Sequence, residues 1–328
     1  MVDPSPHPYA ALDPETVLTA VEALGLTSNG RLLALNSYEN RVYQVGIEDA
    51  EPLVVKFYRP ARWSDQAILE EHGFAAELAG HEIPVVAPLP FAGATLHYHE
   101  GFRYAIFPRR GGRSPELDDP DCRERLGRFL GRIHAVGACR VFAHRPTLGI
   151  AGFGDAPRQY LLEQGFIPAH LVSAYETLSR DLLESIRRCY ERVGAIGELR
   201  LHGDCHPGNI LWTDSGAHFV DLDDCLRGPA IQDFWMLLSG DRAEMTLQLS
   251  DLLAGYEDFY ELDRRELLLI EALRTLRMMN YAAWLARRWS DPAFPLAFPW
   301  FGSDRYWEEH VLALREQAAA LDEPPLVV

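Results

Sequence analysis

The feature that most constrains this chain is a polar segment bounded by strand-like runs between residues 198 and 226. Asp204 is followed five positions later by Asn209, and Asp221 comes after two short apolar runs. A β-hairpin made of these runs would return the chain so that Asp221 lies near Asn209. Carboxylate and amide oxygens are hard ligands of the kind that hold Mg²⁺. The segment therefore predicts a site carried on loops, which the flanking elements must hold in place.

The spacing of Asp204 and Asn209 matches the pattern D-x-x-x-x-N, which is typical of loops that catalyse phosphoryl transfer. That reaction needs one carboxylate to accept the proton of the acceptor hydroxyl, and metal ions to neutralise the phosphate oxygens. An isolated Asp and Asn at this separation also fits an ordinary loop cap. A phosphotransferase interpretation therefore needs support from elsewhere in the chain.

Lys56 supplies that support, because it is the only lysine among the 31 basic residues counted as Lys and Arg. One explanation for the excess of Arg is a genome bias toward Arg codons, yet one position has kept a compact ammonium. Val54-Val55-Lys56 reads as an apolar strand like the V-A-I-K motif, in which the lysine contacts nucleotide phosphates. Such a lysine pairs with a glutamate on the following helix. We predict Glu71 as this partner, with Glu70 as the alternative.

Hydrophobic patterning predicts an α+β fold with a strand-rich N-terminal part and a mostly helical C-terminal part. The N-terminal part is an antiparallel sheet with one main helix, which Ser64 caps and which ends near Gly80. The predicted strands are 31–35, 41–48, 53–58, 95–98 and 102–107, and the later helices are 122–136, 169–193, 231–238, 244–260, 265–289 and 306–321. A polar stretch after residue 107 divides an N-terminal lobe, residues 1–107, from a C-terminal lobe, residues 108–328.

Composition excludes several classes of protein. The net charge of −17 argues against non-specific nucleic-acid binding, although it leaves open an acidic groove for a cationic substrate. No apolar run approaches the roughly 20 residues that span a bilayer, and no basic cluster precedes an apolar run at the N-terminus. The five cysteines form no CxxC pair, which suits a reducing compartment. We predict a cytoplasmic monomer that binds neither nucleic acid nor membrane.

The run H-G-D-x-H-x-x-N at 202–209, followed by V-D-hydrophobic-D at 220–223, resembles the aminoglycoside phosphotransferase and choline kinase family. Blocks at 35–43, 55–60, 228–233 and 289–295 are similar to a branch of that superfamily made up of Ser/Thr protein kinases of the bacterial stress response. The resemblance covers nearly the whole chain. It implies a protein-kinase-like two-lobed fold, and ATP and Mg²⁺ as cofactors.

The resemblance also implies roles for individual residues. Asp204 would accept the proton of the substrate hydroxyl, while Asn209 and Asp221 would hold magnesium. Three further roles are implied for residues outside that segment: Ser37 would lie by the ATP phosphates, Phe107 would begin the hinge near adenine, and Asp233 would brace the catalytic loop.

Three departures from ordinary protein kinases bear on phosphate binding and on regulation. The nucleotide loop lacks G-x-G-x-x-G, so small polar side chains and backbone N–H groups must cradle the phosphates. Gly203 replaces the Arg that precedes the catalytic Asp in H-R-D. Eleven residues separate Asp221 from Asp233, and none is Ser or Thr. We therefore predict activity without an activating phosphorylation.

The sequence leaves the acceptor open. The favoured interpretation is a kinase that transfers the ATP γ-phosphate to Ser or Thr of a protein. A small-molecule kinase acting on an aminoglycoside, choline or an amino sugar would share the same motif. A silent nucleotide-binding scaffold and a metal-dependent hydrolase are weaker alternatives, because the first leaves an intact catalytic set unused and the second leaves Lys56 without a role.

Overall fold

The computed structural model describes residues 7–214 and 216–328, and these form two compact units. The first unit is Met1–Glu116 with Phe142–Arg145 and His206–Cys225, and the second is Leu117–Val141, Pro146–Cys205 and Leu226–Val328. The division into lobes 1–107 and 108–328 stays a prediction, because each unit combines several separate segments of the chain.

The first unit is built on an antiparallel sheet with the strand order β1-β2-β3-β5-β4. The strands are β1 (Ser28–Ala34), β2 (Arg41–Ile47), β3 (Leu53–Phe57), β4 (His97–His99) and β5 (Phe102–Pro108). β-Branched and aromatic side chains pack into one core, which includes Val45, Val55, Phe57 and Ile106. The predicted sheet is confirmed, although some strand ends shift by a few residues.

Helices α1 (Pro14–Glu22) and α2 (Asp65–Gly80) belong to the same unit. Helix α2 begins where the sequence predicts, because the Ser64 side chain accepts a hydrogen bond from the Ala67 N–H at 3.2 Å. Helix α1 was not predicted. It has only nine residues, and its Val17 and Val21 are buried in the core with the sheet. Tertiary packing rather than a long amphipathic pattern therefore stabilises it.

The second unit is mostly helical, as predicted. Its helices are α3 (Pro120–Gly137), α4 (Ala156–Gln164), α5 (Val172–Val193), α6 (Gln232–Trp235), α7 (Arg242–Tyr256), α8 (Ile270–Arg288), α9 (Ala293–Ala297) and α10 (Asp304–Leu321), and it also contains the paired strands β6 (Leu199–Leu201) and β9 (Leu226–Gly228). The helix predicted at 231–238 is only the short α6, and the one predicted at 265–289 begins with the 3₁₀ segment Arg264–Leu269. Short helices α4 and α9 were not predicted. No helix in the described residues is both long and apolar enough to cross a bilayer.

The predicted hairpin after the polar segment is present. Strands β7 (Ile210–Thr213) and β8 (Gly216–Phe219) pair antiparallel, with Ile210 opposite Phe219. Phe219 bonds through its N–H to the Pro84 carbonyl at 2.8 Å and accepts from the Val86 N–H at 2.9 Å. These bonds fix the hairpin within the first unit, next to the segment that follows α2.

Candidate active site

Lys56 lies on β3 with its side chain buried in a cluster of carboxylates. Its Nζ is 3.2 Å from Glu71 Oε1, 3.0 Å from Asp221 Oδ1 and 3.2 Å from Asp223 Oδ1. Burial alone would lower the pKa of Lys56, but the three carboxylates together raise it well above its usual value. The lysine is therefore held as a cation. The expected ion pair with Glu71 is present. Burial raises the pKa of Glu71, and the Lys56 ammonium, which is shared among three carboxylates, only partly opposes this.

Glu70, the alternative partner, faces a different group. Its carboxylate accepts three successive backbone N–H bonds, from Ala143 at 2.6 Å, His144 at 2.8 Å and Arg145 at 2.9 Å. Adjacent residues on a helix point about 100° apart, so only one of Glu70 and Glu71 can face Lys56. Glu70 instead anchors α2 to the segment 142–145 and so fixes the direction in which Glu71 points.

The loop after β8 is held by two arginines. Arg62 binds the carboxylates of Asp223 and Asp224, while Arg145 donates to the backbone carbonyls of Asp223 and, at 2.9 Å, Cys225. Although burial alone would raise the pKa of Asp223, Arg62 and Lys56 hold it well below its usual value. Asp223 and Asp224 thus form ion pairs with Arg62 that hold the loop in place. Asp221 differs from the buried Asp223, because its side chain is 54% exposed and its backbone is left-handed, with φ 58° and ψ 67°.

The predicted nucleotide and metal residues line one cavity of about 360 Å³ within the first unit. Asn209 and Asp221 come together here because the hairpin returns the chain: the Val220 N–H donates to the Asn209 carbonyl at 3.0 Å. The lining of this cavity is partly apolar and partly polar. The apolar lining includes Val42, Val54, Ala75, Val86, Phe107, Leu211 and Val220, and the polar lining includes Ser37, Lys56, Asn209 and Asp221. A nucleotide, with its flat base and charged phosphate chain, suits this mixture of apolar and polar groups.

Ser37 lies in the loop between β1 and β2, and its hydroxyl donates to the Asn40 carbonyl at 3.1 Å. The Asn40 side chain is buried and accepts from the Arg59 N–H at 3.1 Å. Arg41 donates to the Tyr38 carbonyl at 3.0 Å. Bonds between side chains and backbone therefore shape this loop where glycines shape it in ordinary protein kinases.

Asp204 belongs to the second unit, on the loop after β6. The buried Asp233 carboxylate accepts from the backbone N–H groups of His202 and Gly203, both at 2.9 Å. Gln232 Nε2 donates to the Gly203 carbonyl at 3.0 Å. Gly203 has φ +83°, which other residues rarely adopt, so glycine is needed directly before Asp204. The expected bond between Asp233 and the loop is present.

Sequence reasoning missed one partner of Asp204. Arg277, on α8, donates from Nη1 to Asp204 Oδ1 at 2.5 Å. The two residues are 73 positions apart, and no motif linked them. The only signal in the sequence was the run of arginines at helical spacing in the segment 274–288.

The cysteines beside these loops are fully buried. Burial raises the pKa of Cys205 well above its usual value and that of Cys225 to about 12. A buried neutral thiol is a poor nucleophile. Neither residue has the exposed thiolate that a redox switch needs.

The oxygen donors in the cavity suit a Mg²⁺ ion held partly by phosphate oxygens better than a metal ion held by protein side chains alone. No cluster of three or more His, Cys, Asp or Glu residues suited to a metal occurs in the part of the chain that the structure describes. Asn209 and Asp221 supply one amide and one carboxylate oxygen beside space for phosphates. Mg²⁺ is usually bound by one or two carboxylates together with phosphate oxygens and water.

Comparison with known proteins agrees with this geometry. Residues 31–268 match the phosphotransferase enzyme family, APH, and the chain belongs to that family. It is 49% identical to stress response kinase A from Salmonella choleraesuis strain SC-B67 over 97% of this chain and 96% of the relative. Over the same shares, it is 49% identical to the serine/threonine protein kinase RdoA of Salmonella typhimurium strain LT2. Stress response kinase A of Escherichia coli strain K12 is 47% identical, again with 97% and 96% covered.

Solved structures show the fold. The amicoumacin kinase hAmiN, in complex with AMP-PNP, Ca²⁺ and Ami, superposes with a TM-score of 0.73 at 21% identity, covering 96% of this chain and 95% of that one. A microcompartment-associated aminopropanol kinase has a TM-score of 0.69 at 20% identity, with 93% and 98% covered. The predicted family and the predicted α+β kinase-like fold are confirmed.

Proposed function

We propose that this protein is a Ser/Thr protein kinase of the bacterial stress response, which uses Mg-ATP and acts as a cytoplasmic monomer. The observation that carries the proposal is the buried Lys56 ammonium, held between Glu71 and Asp221 in a cavity with a partly apolar lining. The names of the relatives at 47–49% identity support a protein acceptor and a stress-response role. Five free thiols in the described residues suit a reducing compartment.

The residues of the first unit would bind the nucleotide. Phe107 and other apolar lining residues would pack against the base, Lys56 would contact the α- and β-phosphates, and Ser37 would lie beside the phosphate chain. Glu71 keeps Lys56 in place, so its role is to position that lysine. Asn209 and Asp221 would hold Mg²⁺, which neutralises phosphate charge when bound.

Asp204 would provide the chemistry at the acceptor. Its carboxylate would accept the proton as the Ser or Thr oxygen bonds to the γ-phosphorus and the bond to the leaving ADP oxygen breaks. The proton would then pass from Asp204 to solvent. Asp233 would keep the loop in register through its bonds to the His202 and Gly203 N–H groups.

Mass spectrometry after incubation with Mg-ATP tests the proposal against the small-molecule alternative. Phosphatase-treated enzyme is mixed with a test protein, choline and an amino sugar, each in a separate reaction. Phosphate on Ser or Thr of the protein is expected, and Asp204→Asn should abolish it while Mg-ATP still binds. Phosphate found only on the small alcohols would refute a protein acceptor. Loss of activity on dephosphorylation would refute the prediction that no activating phosphate is needed.

A further inference from the structure

The side chain of Asp204 is engaged by a cation that the proposed chemistry does not require. Arg277 Nη1 lies 2.5 Å from Asp204 Oδ1, and the two side chains are 43% and 20% exposed. A guanidinium carries five N–H donors in a rigid fork. Binding through Nη1 to Asp204 uses one of these donors and leaves others on a guanidinium whose side chain is 43% exposed.

Arg277 is part of a longer stripe on one face of α8. Residues 274, 277, 281, 284 and 288 recur at alternating intervals of three and four, which places them on one side of a helix. We call these five residues the α8 stripe: Arg274, Arg277, Tyr281, Trp284 and Arg288. The rings of Tyr281 and Trp284 are stacked with centroids 5.6 Å apart, and the Arg288 guanidinium lies 5.6 Å from the Trp284 ring centre.

The α8 stripe is basic although the chain as a whole is strongly acidic. Helix α8 has four arginines and a single acid, Glu271, which lies in the first turn and interacts with Arg274 and Gln317. The stripe itself contains no carboxylate. At Arg277, the group that meets Asp204 is therefore cationic rather than acidic.

We propose that Arg277 is a specificity-determining residue, which selects protein acceptors with an Asp or Glu within about two residues of the phosphorylated Ser or Thr. The hydroxyl must reach Asp204, and neighbouring residues of an extended chain are only about 3.8 Å apart at their Cα atoms. A carboxylate on such a neighbour can reach the donors of Arg277 that Asp204 does not use. A charge-assisted pair of this kind favours the acidic segment. The same cation repels acceptors with an ammonium beside the hydroxyl.

The inference rests on the proposed protein-kinase function, and steady-state kinetics test the two separately. Three peptides differ only in whether Asp, Ala or Arg flanks a single Thr, and choline is a fourth acceptor. The wild type, Arg277→Gln, Arg277→Lys and Arg277→Glu are compared. Arg287→Glu is the matched control, because it makes the same charge change on the same helix at a residue whose guanidinium lies 5.1 Å from the Tyr160 ring centre instead.

For the wild type, kcat/KM should be roughly fivefold higher for the Asp peptide than for the Ala peptide, which is the upper end of what one solvent-exposed ion pair contributes. Arg277→Gln should abolish this ratio mainly through KM, Arg277→Lys should keep part of it, and Arg277→Glu should favour the Arg peptide. Arg287→Glu should leave the ratio unchanged. A loss of kcat common to all peptides cancels in the ratio, so a general disturbance of Asp204 cannot imitate selectivity.

The outcomes separate the two ideas. If the wild type phosphorylates all three peptides equally, or if Arg277→Gln keeps the preference for Asp, the role of Arg277 is refuted and the protein-kinase function stands. If choline is phosphorylated and no peptide is, the proposed function fails first. A preference that disappears in Arg287→Glu as well would reflect the overall charge of α8 and would also overturn the assignment to Arg277.

Discussion

Replacing Asp233 with Asn tests how the loop that carries Asp204 is held. The Asp233 carboxylate accepts from the His202 and Gly203 N–H groups at 2.9 Å each, and its Oδ2 is 3.2 Å from His134 Nε2. Asparagine keeps one acceptor oxygen and places an NH₂ group opposite the other N–H. One charge-assisted bond, worth roughly 1.5–3 kcal/mol, is then lost and a buried donor is left unpaired. The free energy of unfolding should therefore fall by about 3 kcal/mol.

Activity should respond differently from nucleotide affinity. Small shifts of a reacting group cost about 10²-fold in rate, so kcat should fall by about that factor. The KM for ATP should stay within about twofold, because the residues proposed to bind the nucleotide make none of the lost bonds. Urea unfolding and steady-state kinetics at saturating acceptor measure both. Asp258→Asn is the control, because that half-exposed aspartate pairs with Arg128 on the surface. A stable Asp233→Asn enzyme with wild-type kcat would refute the bracing role.

Three other substitutions test neighbouring parts of the fold. Lys56→Arg should lose nearly as much kcat as Lys56→Ala, because carboxylate oxygens 3.0–3.2 Å from Nζ fit an ammonium and not a planar fork; full activity of the Arg variant would contradict this. Glu70→Gln should speed amide hydrogen exchange at residues 143–145 and lower kcat/KM for ATP, since three N–H groups lose an ionised acceptor; unchanged exchange would remove the anchor. Burial raises the pKa of Glu266 from 4.5 to about 7 in the folded state. The protonated carboxyl group therefore stabilises the folded state fully below pH 4.5, and this stabilisation is lost as the pH rises through 7. The free energy of unfolding of Glu266→Gln, measured in urea relative to the wild type, should therefore rise by about 2 kcal/mol between pH 5 and pH 8. Parallel pH curves for the two proteins would show that Glu266 does not titrate in this range.

Local patterns predicted the parts of the site that depend on chain geometry over short distances. The hairpin between Asn209 and Asp221 follows from two short strands and a turn. The pairing of Lys56 with Glu71 follows from a strand and the helix after it. In both cases the elements fix the direction of the side chains once they have formed.

Other features depend on contacts that no local pattern encodes. The rotation of α2 decides between Glu70 and Glu71, and the segment that fixes this rotation is about seventy residues away. Helix α1 is stabilised by packing against the sheet, and its nine residues are too few to give a clear period. Arg277 meets Asp204 across 73 residues. Helical spacing places Arg277 on the same face as other α8 residues, but nothing in the local sequence says which acid it contacts.

The solitary lysine has a practical consequence for chemical labelling. Its raised pKa keeps the amine protonated, and its side chain is only 7% exposed, so general acylating reagents should react with it slowly. A reagent that carries its electrophile on a nucleotide would instead be delivered to this amine. Apart from the α-amino group, no other primary amine exists in the chain to compete for the reagent. The degree of modification of the single peptide that contains Lys56 would then report how much of the proposed nucleotide cavity is occupied, in the unaltered protein.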